Sequence, residues 1–304
     1  MLSGESLLDR INQLIESDKI QLPIFNNVTL QLQKVISAPE QDVLEVERLI
    51  ARDQALTADV LRAANSPFYC GLTPIKTIHS AIVRLGTDQI LRLIFLSSQR
   101  AKYTARDARL MSMLQDLWRH ASCTALAAQW LAKRIRSGEV QEDCFLGGLL
   151  HDIGQLLILR AIDEINSTEK GGLVLSPPLV REVLRAAHTQ LGHNLLAHWN
   201  IPQIYCNIAL RHHDPEFDPT DDVLIIVRLA NESSRRLSIG LDPDPSLVLS
   251  ATPEALALKA GEVLMAELEI MLEDNMGFFA LPISESKAPV AEDPPSARII
   301  ENAW

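Results

Sequence analysis

Seven of the eight histidines of this chain fall between His120 and His213. Two of them have a neighbour that could share in chemistry. His151 is followed by Asp152 inside FLGGLLHDIGQLLIL, residues 145–159, a stretch otherwise almost wholly apolar, and His212 is followed by His213 just before Pro215. His120 and His188 stand alone on apolar helical faces, the first in line with Leu117, Ala121, Thr124, Ala128, Leu131 and Ile135, the second with Leu184, Leu191 and Leu195. A buried imidazole must hydrogen-bond or ligate something, because an unsatisfied polar group in an apolar setting costs about 1–3 kcal/mol.

Taken singly, a histidine on an apolar face is ordinarily a hydrogen-bonded core residue. Taken jointly, His120, His151, Asp152, His188, His212 and His213 bring nitrogen and oxygen donors from four helices toward one interior, which is how helical bundles build metal sites. Imidazole with carboxylate suits Fe, Mn, Ni, Co or Zn better than Mg, and the set is large enough for one or two ions. His79, His193 and His198 are read as ordinary structural or surface residues. A nucleophilic mechanism has less support: there is no G-x-S-x-G elbow, and Cys70, Cys123, Cys144 and Cys206 sit in apolar segments. FLGGLL and EKGGLV match neither a phosphate-cradling loop nor a dinucleotide fingerprint, so no organic cofactor is expected, and those glycines read as close packing and a turn.

The elements that must carry these residues are helical. Leu, Ile, Val and Ala recur every three to four residues, and alternating β-branched runs bounded by hairpin turns are missing, which predicts an all-α protein of two packed helical lobes. Residues 1–105 form the expected first lobe, with DVLEVERLIARD opening on a variant capping box at Asp42 and Glu45. The loop SPFYCGLTP then reads as a rigid turn before IKTIHSAIVRLG and TDQILRLIFLSSQR. The second lobe, 106–240, is expected to hold a helix near Met111–Arg136, the apolar segment Glu142–Ile162 with His151 and Asp152 at a helix end, and helices near Leu179–Trp199, Gln203–His213 and Asp222–Leu237, interrupted by the loop EKGGLVLSPP. Residues 241–283 form a C-terminal extension in which PEALALKAGEVLMAELEIML reads as one helix packing back on the core. The Pro-containing stretch 284–304 reads as a mobile tail.

Composition sets outer limits. A chain of 304 residues that is 47% hydrophobic can bury a real core. Its formal net charge of −11 argues against sequence-independent binding to nucleic acid, which needs clustered Lys and Arg. The cysteines form no C-x-x-C pair and read as reduced core residues. The N-terminus lacks a signal-peptide apolar run and no uninterrupted apolar window of about 18 residues occurs, so a cytoplasmic location without membrane insertion is expected.

Several segments taken in order resemble a known family. LIARDQALTADVLRAANSPFYCGLTPIKTIHSAIVRLGTDQILRLI, residues 49–94, is similar to the first half of the HDOD domain, the HD-related output domain of bacterial signalling proteins. LWRHASCTALAAQWLAKRI, FLGGLLHDIGQLLIL, HTQLGHNLLAHWNIP and ALRHHDPE resemble its second half, so the likeness runs from about Leu22 to Asn231. HDOD domains are in turn similar to the HD superfamily of metal-dependent phosphohydrolases, whose HD-GYP branch cleaves cyclic dinucleotides. The resemblance implies that the superfamily's metal ligands fall on His120, His151, Asp152, His188, with Gly192 at the spacing of an H-x-x-x-G segment, and the pair His212 and His213. There the metal lowers the pKa of a bound water that attacks phosphorus.

The departures shape the functional expectation. Gln155 stands where the HD-GYP branch carries a Lys, DPEFDPTDD after His213 contains no GYP element, and Asn231 falls where HD hydrolases place a late Asp. Asn is a weaker ligand than a carboxylate, so a second ion would be held less tightly. The expected function is a bacterial regulatory module that acts through a signalling protein partner, with a metal-binding but catalytically degenerate HD-type site. The competing expectation is a metal-dependent phosphohydrolase acting on a nucleotide or cyclic dinucleotide, in which Asp152 would be essential.

Overall fold

A computed structural model of the chain describes residues 7–16, 46–47, 50–51, 54–66, 69, 73–100, 103–136, 140–168 and 176–279. Most of DVLEVERLIARD, Cys70, the loop residues 169–175 and the expected tail 284–304 lie outside these. The described residues contain helices and no strand: α1 (Leu7–Glu16), α2 (Gln54–Ala64), α3 (Ile78–Leu85), α4 (Thr87–Arg100), α5 (Ala108–Ile135), α6 (Gln141–Leu150), α7 (Ile153–Thr168), α8 (Pro177–His198), α9 (Gln203–Arg211), α10 (Asp222–Arg236), a 3₁₀ turn Leu249–Ala251, α11 (Pro253–Leu258) and α12 (Glu262–Phe279). The chain is therefore all-α, as its periodicity predicts.

Helix α5 is the axis of the second lobe. It starts at Asp107, whose side chain caps the Arg109 N–H, and the carboxylate of Asp163 on α7 accepts from the N–H groups of Arg106 and Asp107 just ahead of it. From Leu117 to Ala132 almost every α5 residue is buried, and many are small (Ala121, Ser122, Cys123, Ala125, Ala127, Ala128). Small residues on several faces let α6, α7, α10 and α12 pack around one helix. The closest approach is at Gly148 of α6, where a Cβ would meet the backbone of Thr124 and Ala125 at 2.8 Å. Gly154 of α7 plays the same part against α8, where a Cβ would lie 1.9 Å from the His188 carbonyl oxygen. These glycines set how near the helix backbones come, and hence how near the side chains beside them come.

In the first lobe, α2, α3 and α4 pack on one another. The amide of Asn65 accepts from the Ile75 N–H at 2.7 Å and donates to the Ile75 carbonyl at 2.8 Å, joining the residues on either side of SPFYCGLTP, of which 67–68 and 70–72 lie outside the described residues. The apolar segment from Glu142 to Ile162 is two helices, α6 and α7, and His151 and Asp152 lie where α6 ends, at the helix end expected for them. One expectation needs correction. PEALALKAGEVLMAELEIML is two helices: Lys259 adopts a left-handed conformation (φ 55°), caps α11 and redirects the chain before α12 begins. The segment Gln141–Ser167 is long and apolar enough by composition to cross a membrane, yet 83% of its most apolar window is buried inside the protein, where it forms core.

Candidate metal centre

Each predicted ligand is placed by a helix end or an inward helical face. His120 lies midway along α5, His151 and Asp152 form the α6–α7 turn, His188 faces inward from α8, and His212 and His213 follow the last residue of α9. The structure brings all six together. His120, His151 and Asp152 form one group whose donor atoms lie within 4.8 Å of one another, and Asp152, His188, His212 and His213 form a second, so Asp152 belongs to both. All are buried except His213, which is exposed at the mouth. The three histidines read as ordinary residues are elsewhere: His79 pairs with Glu47 at 2.6 Å on the surface, His193 meets the Cys206 carbonyl, and His198 is exposed.

The tautomers follow from the backbone. Nδ1 of His120 lies 3.0 Å from the Ile239 carbonyl, that of His151 2.8 Å from Gly148, that of His188 2.7 Å from Leu184, and that of His212 3.0 Å from Ala209. A carbonyl oxygen can only accept, so Nδ1 carries the proton in all four rings and Nε2 of each neutral ring is a lone pair. Those four nitrogens converge. His120 Nε2 and His151 Nε2 are 3.2 Å apart, His188 Nε2 and His212 Nε2 are 3.3 Å apart, and all four lie 3.3–3.4 Å from the Asp152 carboxylate. Lone pairs and a carboxylate that point at one spot repel unless positive charge sits there. The Asp152 Oδ1 atom is buried without a hydrogen-bond partner. Donor type, convergence, orphaned oxygen and outward carbonyl contacts together fit a cation, the carbonyls being the usual way a protein orients ligating imidazoles.

Ionisation is consistent with ligand chemistry. Burial pushes His212 down to about 4, so its ring is neutral at pH 7. Burial also disfavours charge on Asp152 and on His151. Asp152 nevertheless stays well below the usual carboxylate range, held chiefly by the adjacent His151. The adjacent Asp152 likewise outweighs burial at His151 and raises its pKa.

Asn231 of α10 is buried beside His151, so the position aligned with a late carboxylate does reach the centre but brings a neutral amide. Gln155 lines the cleft above the cluster, again neutral. The sequence reading missed the rest of that cleft: Arg181 and Arg185 on α8, Arg235 on α10, and Asp242 in the loop that follows. Helical spacing held the signal, since Arg185 precedes His188 by three residues and Arg235 follows Asn231 by four. The same loop supplies the Ile239 carbonyl to His120, and Gly240 (φ 112°) lies against that ring, where a Cβ would sit 2.9 Å from it.

The HDOD domain family matches residues 22–215, more than half of the chain. The chain belongs to the HDOD family. Among solved structures, an HDOD domain protein of Geobacter sulfurreducens shares its fold at a TM-score of 0.62 and 21% identity, over 90% of this chain and 97% of that one. A protein of Shewanella amazonensis provisionally named a metal-dependent phosphohydrolase does so at 0.60 and 20%, over 88% and 98%. Among curated relatives, an uncharacterized protein of Treponema pallidum is 28% identical over 76% of this chain and 44% of its own length. The cyclic di-GMP phosphodiesterase CdgJ of Vibrio cholerae is 30% identical over 43% of this chain and 28% of its own. This HDOD chain thus spans less than half the length of the curated relatives it matches. The family match ends at residue 215, so Asn231, Arg235 and Asp242 lie beyond it.

Proposed function

We propose that this HDOD chain is a regulatory signalling module that works through a protein partner, and that its HD-type centre holds a transition metal without turning over a phosphodiester. The convergence of four carbonyl-oriented imidazoles on Asp152 carries the metal part of this reading. His120, His151, Asp152, His188 and His212 would hold the first ion, with His213 at the open side; imidazole with carboxylate favours Fe, Mn, Ni, Co or Zn. Two neutral side chains carry the non-catalytic part. Asn231 contributes no charge toward a second ion, and Gln155 contributes none toward a phosphoryl group. The cleft above the centre is also small, about 50 Å³, enough for a few waters and far below the roughly 300–1,000 Å³ of pockets that bury a nucleotide-sized ligand.

A second reading, a phosphohydrolase, is favoured by one observation: Asp152 is common to both ligand groups, as it would be between two ions. A bound divalent cation would supply Lewis acidity toward a phosphoryl oxygen. Metal analysis of the purified protein, paired with phosphodiesterase assays on an aryl phosphodiester and on cyclic dinucleotides with added Mn or Fe, separates the readings. The expected result is bound metal in the native chain, its loss in Asp152→Ala, and no turnover. Turnover that Asp152→Ala abolishes would overturn the non-catalytic reading, and a metal-free native chain would overturn the metal assignment.

A further inference from the structure

Arg181, Arg185 and Arg235 line the metal-centre cleft, and one carboxylate, that of Asp242, lies against two of them. Arg181 and Arg185 lie on the face of α8 that carries His188, two turns and one turn before it. Arg235 lies one turn after Asn231 on α10. The Asp242 side chain is ion-paired to Arg185 through one oxygen, and its other oxygen lies 3.8 Å from Arg235. Arg235 also grips the Asp242 backbone carbonyl at 3.1 Å and pairs with Glu232 at 2.9 Å. No ion pair of Arg181 is seen among the described residues.

Arginines on two helices, aimed at one point beside a metal centre, are the geometry that binds a phosphate group bidentately. Here the negative charge at that point is the protein's own. We propose that Arg181, Arg185 and Arg235 form a phosphate-binding subsite that Asp242 occupies as an internal substitute, so that a phosphate ligand must displace the 239–244 loop to enter. Because Ile239 and Gly240 of that loop also hold the ring of His120, displacement reaches the metal centre directly. The inference deepens the reading above, resting on it for what the cleft serves, but anion binding itself requires no metal.

The test is isothermal titration of the full chain with inorganic phosphate, on EDTA-treated protein and again after metal loading. Asp242 is 51% and Arg185 68% exposed at the side chain, so neither Asp242→Asn nor Arg185→Ala removes core packing. Asp242→Asn is expected to tighten phosphate binding about tenfold in the EDTA-treated protein by removing the internal competitor. Adding Arg185→Ala or Arg181→Ala to Asp242→Asn should reverse that gain. Hydrogen exchange supplies an independent readout: phosphate should speed exchange of the Asp244 amide, which donates to the Arg235 carbonyl at 3.0 Å while the loop is closed. Unchanged affinity in Asp242→Asn, or phosphate binding that appears only with metal and is indifferent to the arginines, overturns the proposal. Because the EDTA-treated arm contains no metal, a failed metal assignment leaves this result readable, and a failed subsite leaves the metal analysis readable.

Discussion

Replacing Gly154 with Ala should damage both the stability and the metal centre, although the side chain added is a single methyl. A Cβ at this position would lie 1.9 Å from the His188 carbonyl oxygen and 2.8 Å from the Gly192 nitrogen, where ordinary contact begins at 3.4 Å. Both obstacles are helix backbone, so no rotamer change relieves the clash and α7 must draw away from α8 by about 1.5 Å. Overpacking of a tight core typically costs about 1–3 kcal/mol, and a backbone-on-backbone clash belongs at the upper end of that range. The same movement carries Asp152, two residues before Gly154, away from His188, whose Nε2 is now 3.4 Å from its Oδ1. Ligand bonds to transition metals hold to about 0.2 Å, so metal affinity should fall at least tenfold. Urea unfolding and metal content after dialysis measure the two effects. Gly261→Ala, whose Cβ would meet nothing within 4 Å, is the control. A Gly154→Ala protein with native urea midpoint and native metal content would show that the two helices are not held together at this glycine.

Two further outcomes follow from burial. Arg228 and Glu254 are 9% and 4% exposed; the guanidinium donates to Glu254 at 2.8 Å and to the carbonyls of Arg211 and Asp214, bracketing the His212–His213 turn. Arg228→Met should cost about 3–5 kcal/mol in urea unfolding by stranding the Glu254 charge, and Arg228→Met with Glu254→Met should recover much of it; a single variant as stable as the native chain would refute this. Burial pushes the Cys123 thiol up to about 12, and burial with nearby Asp143 does the same for Cys144. At pH 9 the folded protein should hold about a thousandth of either as thiolate, so peptide mapping after iodoacetamide should find both unmodified until urea unfolds the chain. Rapid native labelling of either would contradict the packing of α5 against α6.

Much of this protein was legible in its residue order because helical structure is local. The 3.6-residue recurrence around His120 and His188 is enough to place those rings on inward faces. The ordered motifs from residue 49 to ALRHHDPE were enough to suggest the family that the match over residues 22–215 shows. Local pattern failed where geometry depends on a single dihedral or a distant backbone. Periodicity runs straight through Lys259, yet its left-handed conformation ends a helix there.

What the sequence determined by itself was which residues could ligate and which helices would carry them, since side-chain chemistry and helical phase are properties of the residues and their spacing. Only the tertiary structure decided that all four inner imidazoles turn Nδ1 to a carbonyl and Nε2 to Asp152. That orientation depends on carbonyls up to 119 residues away, as for His120 and Ile239. Packing alone also brought Asp242 onto Arg185, 57 residues apart in the chain, making a charged rim out of residues that read singly as ordinary surface.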